Sequence, residues 1–117
     1  MITVIMPVYN EGEYIYQNVV TVRELLRREE IEHQFLLVDD GSKDNSWAEM
    51  CRLADDLPEV SIIRLSRNFG KEAALCAALE NAAGDAVLVM DSDLQHPPRY
   101  IPEMVRLWKE EGYDVVE

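Results

Sequence analysis

The sequence predicts an α/β domain, a Rossmann-like, mostly parallel sheet with helices on both of its faces. Three observations lead there. Short apolar runs alternate along the chain with segments whose apolar residues recur at helical spacing. The strand runs are nearly continuous in apolar residues rather than alternating, as burial on both faces of a parallel sheet requires. Each gap between successive strands is filled by a helical pattern, and such crossovers are right-handed.

The first strand is expected over residues 2–6, an apolar, β-branched run stopped by Pro7. A helix over about 13–28 follows, with Ile15, Val19, Val22, Leu25 and Leu26 forming its apolar stripe. The second strand, Phe35-Leu36-Leu37-Val38, ends in Asp39-Asp40-Gly41-Ser42, after which Asp44 or Ser46 can cap a helix carrying Trp47, Met50, Cys51 and Ala54. A third strand over 60–65 leads through Ser66-Arg67-Asn68-Phe69-Gly70-Lys71 into an alanine-rich helix over about 72–82, broken by Gly84-Asp85. The fourth strand is expected over 86–90. Pro97 or Pro98 then suits the first turn of a helix over about 99–110, which Gly112 ends. Tyr113-Asp114-Val115-Val116 begins a further strand pattern, so residues 1–117 are expected to be part of a longer domain, truncated at the C-terminal end.

Composition narrows the function classes. A length of 117 residues is one domain's worth of chain, and a hydrophobic content of 48% rules out wholesale disorder. A formal charge of −12 argues against a nucleic-acid backbone or a bare anionic membrane as the main partner. No apolar stretch has the length of a membrane span, and no basic segment leads into an apolar signal region. Cys51 and Cys76 both fall in apolar helical patterns and are expected to be reduced core thiols. Trp47, Trp108 and the methionines are expected in the core, His96 in a loop, and His33 on the surface at a strand start.

The chemistry gathers at the strand ends. The run from Val87 to Met90 stops abruptly in Asp91-Ser92-Asp93-Leu94-Gln95-His96-Pro97-Pro98. Asp91, Asp93 and the amide oxygen of Gln95 occupy alternate positions, which in extended backbone share one side and can hold one Mg²⁺ or Mn²⁺ ion. The plainer alternative is a polar turn closed by the two prolines. The other strands end in Tyr9-Asn10-Glu11, in Asp39-Asp40-Gly41-Ser42 and in Arg67-Asn68-Phe69-Gly70-Lys71. In a parallel sheet these four groups line one edge and converge on one crevice. A carboxylate there can accept hydrogen bonds from a base N–H or ribose hydroxyls, Tyr9 offers a ring face, and Arg67 and Lys71 can meet phosphate charge. The set describes a nucleotide-diphosphate site. Neither a Gly-x-x-x-x-Gly-Lys-Ser/Thr loop nor a Gly-x-Gly-x-x-Gly turn follows the first strand. Taken singly, each motif also reads as a turn, a helix cap or a solvated helix start.

Pro7-Val8-Tyr9-Asn10-Glu11, Val38-Asp39-Asp40-Gly41-Ser42, Arg67-Asn68-Phe69-Gly70-Lys71 and Asp91-Ser92-Asp93-Leu94-Gln95-His96-Pro97-Pro98 together resemble the successive motifs of family 2 inverting glycosyltransferases with the GT-A fold. The third and fourth resemble most closely the branch of dolichyl-phosphate mannose synthase and bacterial polyprenyl-phosphate sugar transferases. The resemblance spans nearly the whole chain.

It implies that Pro7, Tyr9 and Glu11 border the nucleotide base and ribose, and that Asp40, supported by Asp39, binds the base. Lys71 with Arg67 would lie near the diphosphate, Asp91 would serve the ribose or the metal, and Asp93 and Gln95 would hold the metal on the donor diphosphate, making Asp93 the catalytic candidate. The implied partners are a UDP- or GDP-sugar donor and a polyprenyl phosphate acceptor, with a saccharide hydroxyl as the alternative. The implied location is the cytoplasm, at the cytoplasmic face of the membrane in the full-length protein. Full-length relatives carry acceptor-side residues and often membrane helices further on, so the chain is expected to hold the donor half of a site, with weak nucleotide binding and no turnover alone. An open sheet edge also allows pairing with a second copy as a homodimer.

Two other classes fit less well. A receiver-like Mg²⁺-binding signalling domain would carry its acidic pair after the first strand, whereas here it follows the second. A nucleotidyltransferase would show a glycine- and basic-rich loop after the first strand, and residues 7–12 contain no basic side chain.

Overall fold

Along the first strand, β1 (Ile2–Val8), successive side chains point to opposite faces, and this alternation divides the core in two. Ile2, Val4, Met6 and Val8 enter one hydrophobic cluster and Ile5 enters the other. The structure, a computed structural model, describes residues 1–81, 86–90 and 115–116. The elements that follow are α1 (Ile15–Arg28), β2 (His33–Asp39), α2 (Ser46–Asp56), β3 (Val60–Arg64), α3 (Lys71–Asn81), β4 (Ala86–Val89) and β5 (Val115–Val116). They form a five-stranded sheet in the order β3-β2-β1-β4-β5, with every pairing parallel.

The strand order explains where the helices lie. From β1 to β3 the chain steps in one direction, and the right-handed crossovers put α1 and α2 on the same face. Ile15, Val19, Val22 and Leu26 of α1 and Met50 and Leu53 of α2 pack there with Phe35 and Leu37. The step from β3 to β4 passes back across β1, which moves α3 to the opposite face, where Ala74 and Ala78 meet Ile5, Leu36, Val38 and Val89. The order reverses between β1 and β4, and in open α/β sheets the crevice beyond such a reversal, at the carboxyl ends of the strands, is where ligands bind.

The predicted α/β architecture holds, with local corrections. Pro7 does not stop β1, which runs on to Val8, with Pro7 paired to Val38. Ile5 O accepts from Met90 N on the β4 side and Val8 O accepts from Asp40 N on the β2 side. By alternation Pro7 faces the β4 side, where without an N–H it cannot extend the β1–β4 ladder past Ile5 and Val89, while on the β2 side pairing continues to Val8. His33 is not a surface residue: its side chain is only 6% exposed, Nδ1 bonds Ile31 O and the ring meets Phe35 edge-on. Cys76 is exposed rather than in the core, because the buried stripe of α3 runs through Ala74 and Ala78 and position 76 projects away from it; Cys51 is half-buried. The predicted helix over 99–110, the Gly84-Asp85 break, His96 and Trp108 lie outside the described residues.

Candidate functional site

Among the described residues, the carboxyl edge of the sheet is built by three loops that hold one another. The β1–α1 loop begins at Tyr9, which is exposed, and at Asn10, whose φ of 53° lies in the left-handed region that asparagine tolerates better than most residues. Asn10 N donates to Ser42 Oγ at 2.9 Å and Asn10 Oδ1 accepts from Lys43 N at 2.8 Å. Glu11 N donates to Ser46 Oγ at 2.8 Å and Gly12 N to Asp44 Oδ2 at 3.0 Å. Four bonds thus tie this loop to the β2–α2 loop. A Cβ on Gly12 would run into the Asn45 side chain and come within 2.8 Å of Ser46 N, so only glycine lets the two loops approach this closely.

Asp44 Oδ1 also accepts from Ser46 N at 2.9 Å and from the Ser46 hydroxyl. Partial desolvation would raise this carboxyl group, but the bonds from Ser46 and from Gly12 N outweigh it and hold the group below its ordinary value. A depressed folded-state value stabilises the fold above the unfolded-state value, and that contribution disappears as pH falls through the folded-state value. The stability advantage of the wild type over Asp44→Asn is therefore expected to be full at neutral pH and to vanish at pH below the lowered carboxylate value. Urea midpoints measured across the acid range check this; an advantage independent of pH contradicts it.

Asp39 and Asp40 do not act as one pair. Alternation along β2 sends Asp39 to the α1 and α2 face, with Phe35 and Leu37, and Asp40 to the α3 face, following Leu36 and Val38. Asp39 is fully buried: Oδ1 accepts from Ser42 N at 3.1 Å, and Oδ2 lies 3.8 Å from Arg64 Nε. Among the described residues Oδ2 accepts no hydrogen bond, an unusual state for a buried carboxylate oxygen. The Arg64 guanidinium in turn lies 5.1 Å from the centre of the Trp47 ring.

Asp40, 4% exposed, is engaged with the β3–α3 loop. Its Oδ1 accepts from Phe69 N at 2.8 Å and Gly70 N at 3.2 Å, and Oδ2 accepts from Gly70 N at 3.1 Å. The carboxylate sits at the amino end of α3, where exposed N–H groups and the helix dipole favour a negative charge. Gly41 seals the same junction. Its φ is +73°, and a Cβ there would strike Asn68 N and Arg67 C and lie 3.0 Å from Arg67 Cα. Arg67 places its guanidinium 4.7 Å from the centre of the exposed Phe69 ring, and Lys71 is the first residue of α3.

Of the residues singled out in the sequence, Pro7, Tyr9, Glu11, Asp39, Asp40, Arg67 and Lys71 thus lie at or next to the carboxyl ends of β1, β2 and β3. Asp91, Asp93 and Gln95 lie outside the described residues. The residue preceding them, Met90, is buried and donates its N–H to Ile5 O at 3.0 Å, at the β1 side of the reversal in strand order. Among the described residues no three His, Cys, Asp or Glu side chains form a group that could hold a metal ion. No helix among them is long and apolar enough to cross a membrane. The sequence reading missed the cross-loop partners Asn10, Ser42, Asp44 and Ser46. The sequence offers Asp44 or Ser46 as a helix cap, whereas Asn45 takes the cap position without a side-chain bond, and nothing in the spacing reveals partners more than 30 positions away.

Comparison with known proteins agrees with this architecture. The family model described as glycosyl transferase family 2 matches residues 3–116. The chain is 44% identical over 124 residues to an undecaprenyl-phosphate 4-deoxy-4-formamido-L-arabinose transferase of Pseudomonas syringae pv. syringae (strain B728a), covering 98% of this chain and 34% of that protein. It is 43% identical over 114 residues to the uncharacterized glycosyltransferase YkcC of Bacillus subtilis (strain 168), covering 97% of this chain and 35% of the relative. Among solved structures, it resembles a mannosyltransferase from Pyrobaculum calidifontis in complex with GDP-Man and Mn²⁺, with a TM-score of 0.76, 26% identity and coverage of 93% of this chain and 32% of that one. It also resembles glucosyl-3-phosphoglycerate synthase from Mycobacterium tuberculosis in complex with uridine-diphosphate, with a TM-score of 0.67, 25% identity and coverage of 90% and 38%. The chain spans about a third of the length of the curated relatives it matches. With the family model spanning nearly every residue and the parallel sheet matching these glycosyltransferases, the chain belongs to glycosyl transferase family 2.

Proposed function

We propose that this chain is the donor-binding part of a metal-dependent, inverting glycosyltransferase that moves a sugar from a UDP- or GDP-sugar to a polyprenyl phosphate. The observation that carries the reading is the set of interlocked polar strand ends at the carboxyl edge, beside the reversal of strand order between β1 and β4. A mannosyltransferase of similar fold in complex with GDP-Man and Mn²⁺ and relatives named for undecaprenyl phosphate support the donor and acceptor classes.

In this reading Pro7, Tyr9 and Glu11 border the base and ribose. Asp39, fully buried and accepting from Ser42 N, supports from beneath the loop that follows Asp40. Asp40, whose carboxylate accepts from two N–H groups, Phe69 N and a Gly70 N shared between its oxygens, keeps acceptor capacity for an N–H or O–H donor of the nucleoside. Arg67 and Lys71 offset diphosphate charge. Asp91, Asp93 and Gln95 are an all-oxygen donor set, which suits Mg²⁺ or Mn²⁺. A divalent metal bound by them supplies Lewis-acid charge that offsets the departing nucleoside diphosphate. The acceptor phosphate oxygen attacks the anomeric carbon from the side opposite the leaving group, forming the new C–O bond as the bond to the diphosphate breaks. That acceptor is already anionic at neutral pH, so no side chain is required as a general base.

Calorimetric titration of UDP and of GDP in the presence of Mn²⁺ tests the reading. One nucleotide is expected to bind the chain weakly, in the high micromolar to millimolar range of about −4 to −5 kcal/mol. Asp93→Ala should abolish the metal-dependent part of the heat. No heat from either nucleotide, or equal heat from the variant, counts against the site.

A further inference from the structure

Ser46 is fully buried at the start of α2, yet its hydroxyl is spent on two other places in the structure. As an acceptor it takes the Glu11 N–H at 2.8 Å, from a loop 35 positions away; as a donor it gives its proton to Asp44 Oδ1. A hydroxyl has one proton and two lone pairs. Asp44, which when ionised can only accept, takes the hydrogen bond from the Ser46 O–H and so leaves a Ser46 lone pair facing Glu11 N. The second Asp44 oxygen holds Gly12 N at 3.0 Å, so two consecutive N–H groups of the β1–α1 loop end on one relay.

We infer that Ser46, oriented by Asp44, is a positioning residue for donor binding: it sets where the Tyr9-to-Glu11 backbone stands at the nucleoside end of the pocket without touching the ligand. This rests on the donor-site reading above. The geometry of the surrounding loop agrees with it. Asn10 is held in a left-handed conformation with bonds to Ser42 and Lys43, so the segment is pinned between Tyr9 and Glu11 as well as at Glu11 and Gly12 by the same partner loop. Such pinning removes alternative loop conformers that would otherwise have to be excluded on binding. The hydrogen bonds that hold the Asp44 carboxylate below its ordinary value keep it ionised, and hence an acceptor, at neutral pH.

The test compares wild type, Ser46→Ala, Ser46→Thr and Leu53→Ala, the last a buried core change on the same helix away from the loop. Each is titrated with UDP and with GDP in Mn²⁺ below its melting range, and the Glu11 and Gly12 amides are followed by hydrogen exchange. Ser46→Ala is expected to bind the preferred nucleotide about fivefold to tenfold more weakly, the worth of one hydrogen bond, with faster exchange at Glu11. Ser46→Thr, which keeps the hydroxyl, should recover most of the affinity, and Leu53→Ala should lose stability but not affinity. If Ser46→Ala binds as wild type does, or if Leu53→Ala weakens binding equally, the positioning role is wrong while the donor site stands. If wild type binds neither nucleotide, the donor reading fails and the inference fails with it.

Discussion

Asp40→Ala is expected to destabilise the fold by about 2–3 kcal/mol, because two backbone N–H groups lose charge-assisted hydrogen bonds and the amino end of α3 loses its counter-charge. Asp40→Asn should lose roughly half as much, since its amide oxygen still serves Phe69 N while the charge and the second acceptor are gone. Urea denaturation of the three proteins measures both effects. The exchange rates of the Phe69 and Gly70 amides locate them, and should rise in Asp40→Ala before any global unfolding. An Asp40→Ala variant as stable as wild type would show that the carboxylate does not hold the loop. The expectation has a functional side as well. A residue read from sequence as a base contact also fastens the loop that carries Arg67 and leads into Lys71, so its loss should affect both ends of a bound nucleotide.

Gly41→Ala is expected to cost about 3 kcal/mol or more, against about 1 kcal/mol for Gly70→Ala. Both glycines have positive φ, at 73° and 101°, so both substitutions carry a conformational cost. Only Gly41 adds a collision, since its Cβ would meet the backbone of Arg67 and Asn68, while nothing lies within 4 Å of a Cβ on Gly70. Backbone cannot turn aside as a flexible side chain does. Moving the Arg67-Asn68 segment would also pull Phe69 and Gly70 from Asp40, so the strain has no inexpensive outlet. Equal destabilisation by the two substitutions would mean that the β2–α2 and β3–α3 loops separate easily, and that the edge is less preorganised than its contacts imply.

Much of the fold was legible because it depends on local patterns. The apolar runs at 2–6 and 35–38 and the stripe Ile15, Val19, Val22 and Leu26 report burial directly, since side chains alternate along strands and recur every three or four residues along helices. Pro7 misled because a proline blocks pairing only on the side its N–H would face, here the β4 side, and leaves pairing to β2 intact. Cys76 misled because α3 is apolar nearly all round, which leaves no amphipathic stripe to say which side is buried.

At the site, the residue types were readable and their working arrangement was not. Local sequence was enough to place Tyr9, Glu11, Asp39, Asp40, Arg67 and Lys71 at the ends of strands, because strand ends are marked by the change from apolar to polar residues. Strand order was decided only when the chain packed. The reversal between β1 and β4 and the move of α3 to the opposite face follow from crossover handedness and from which apolar surfaces cover each other. So too was the parting of Asp39 from Asp40, one toward Ser42 and Arg64 and the other toward Phe69 and Gly70. The bonds that make the edge rigid join residues about 30 or more positions apart, and a one-dimensional pattern carries no information about such contacts until packing brings the loops together.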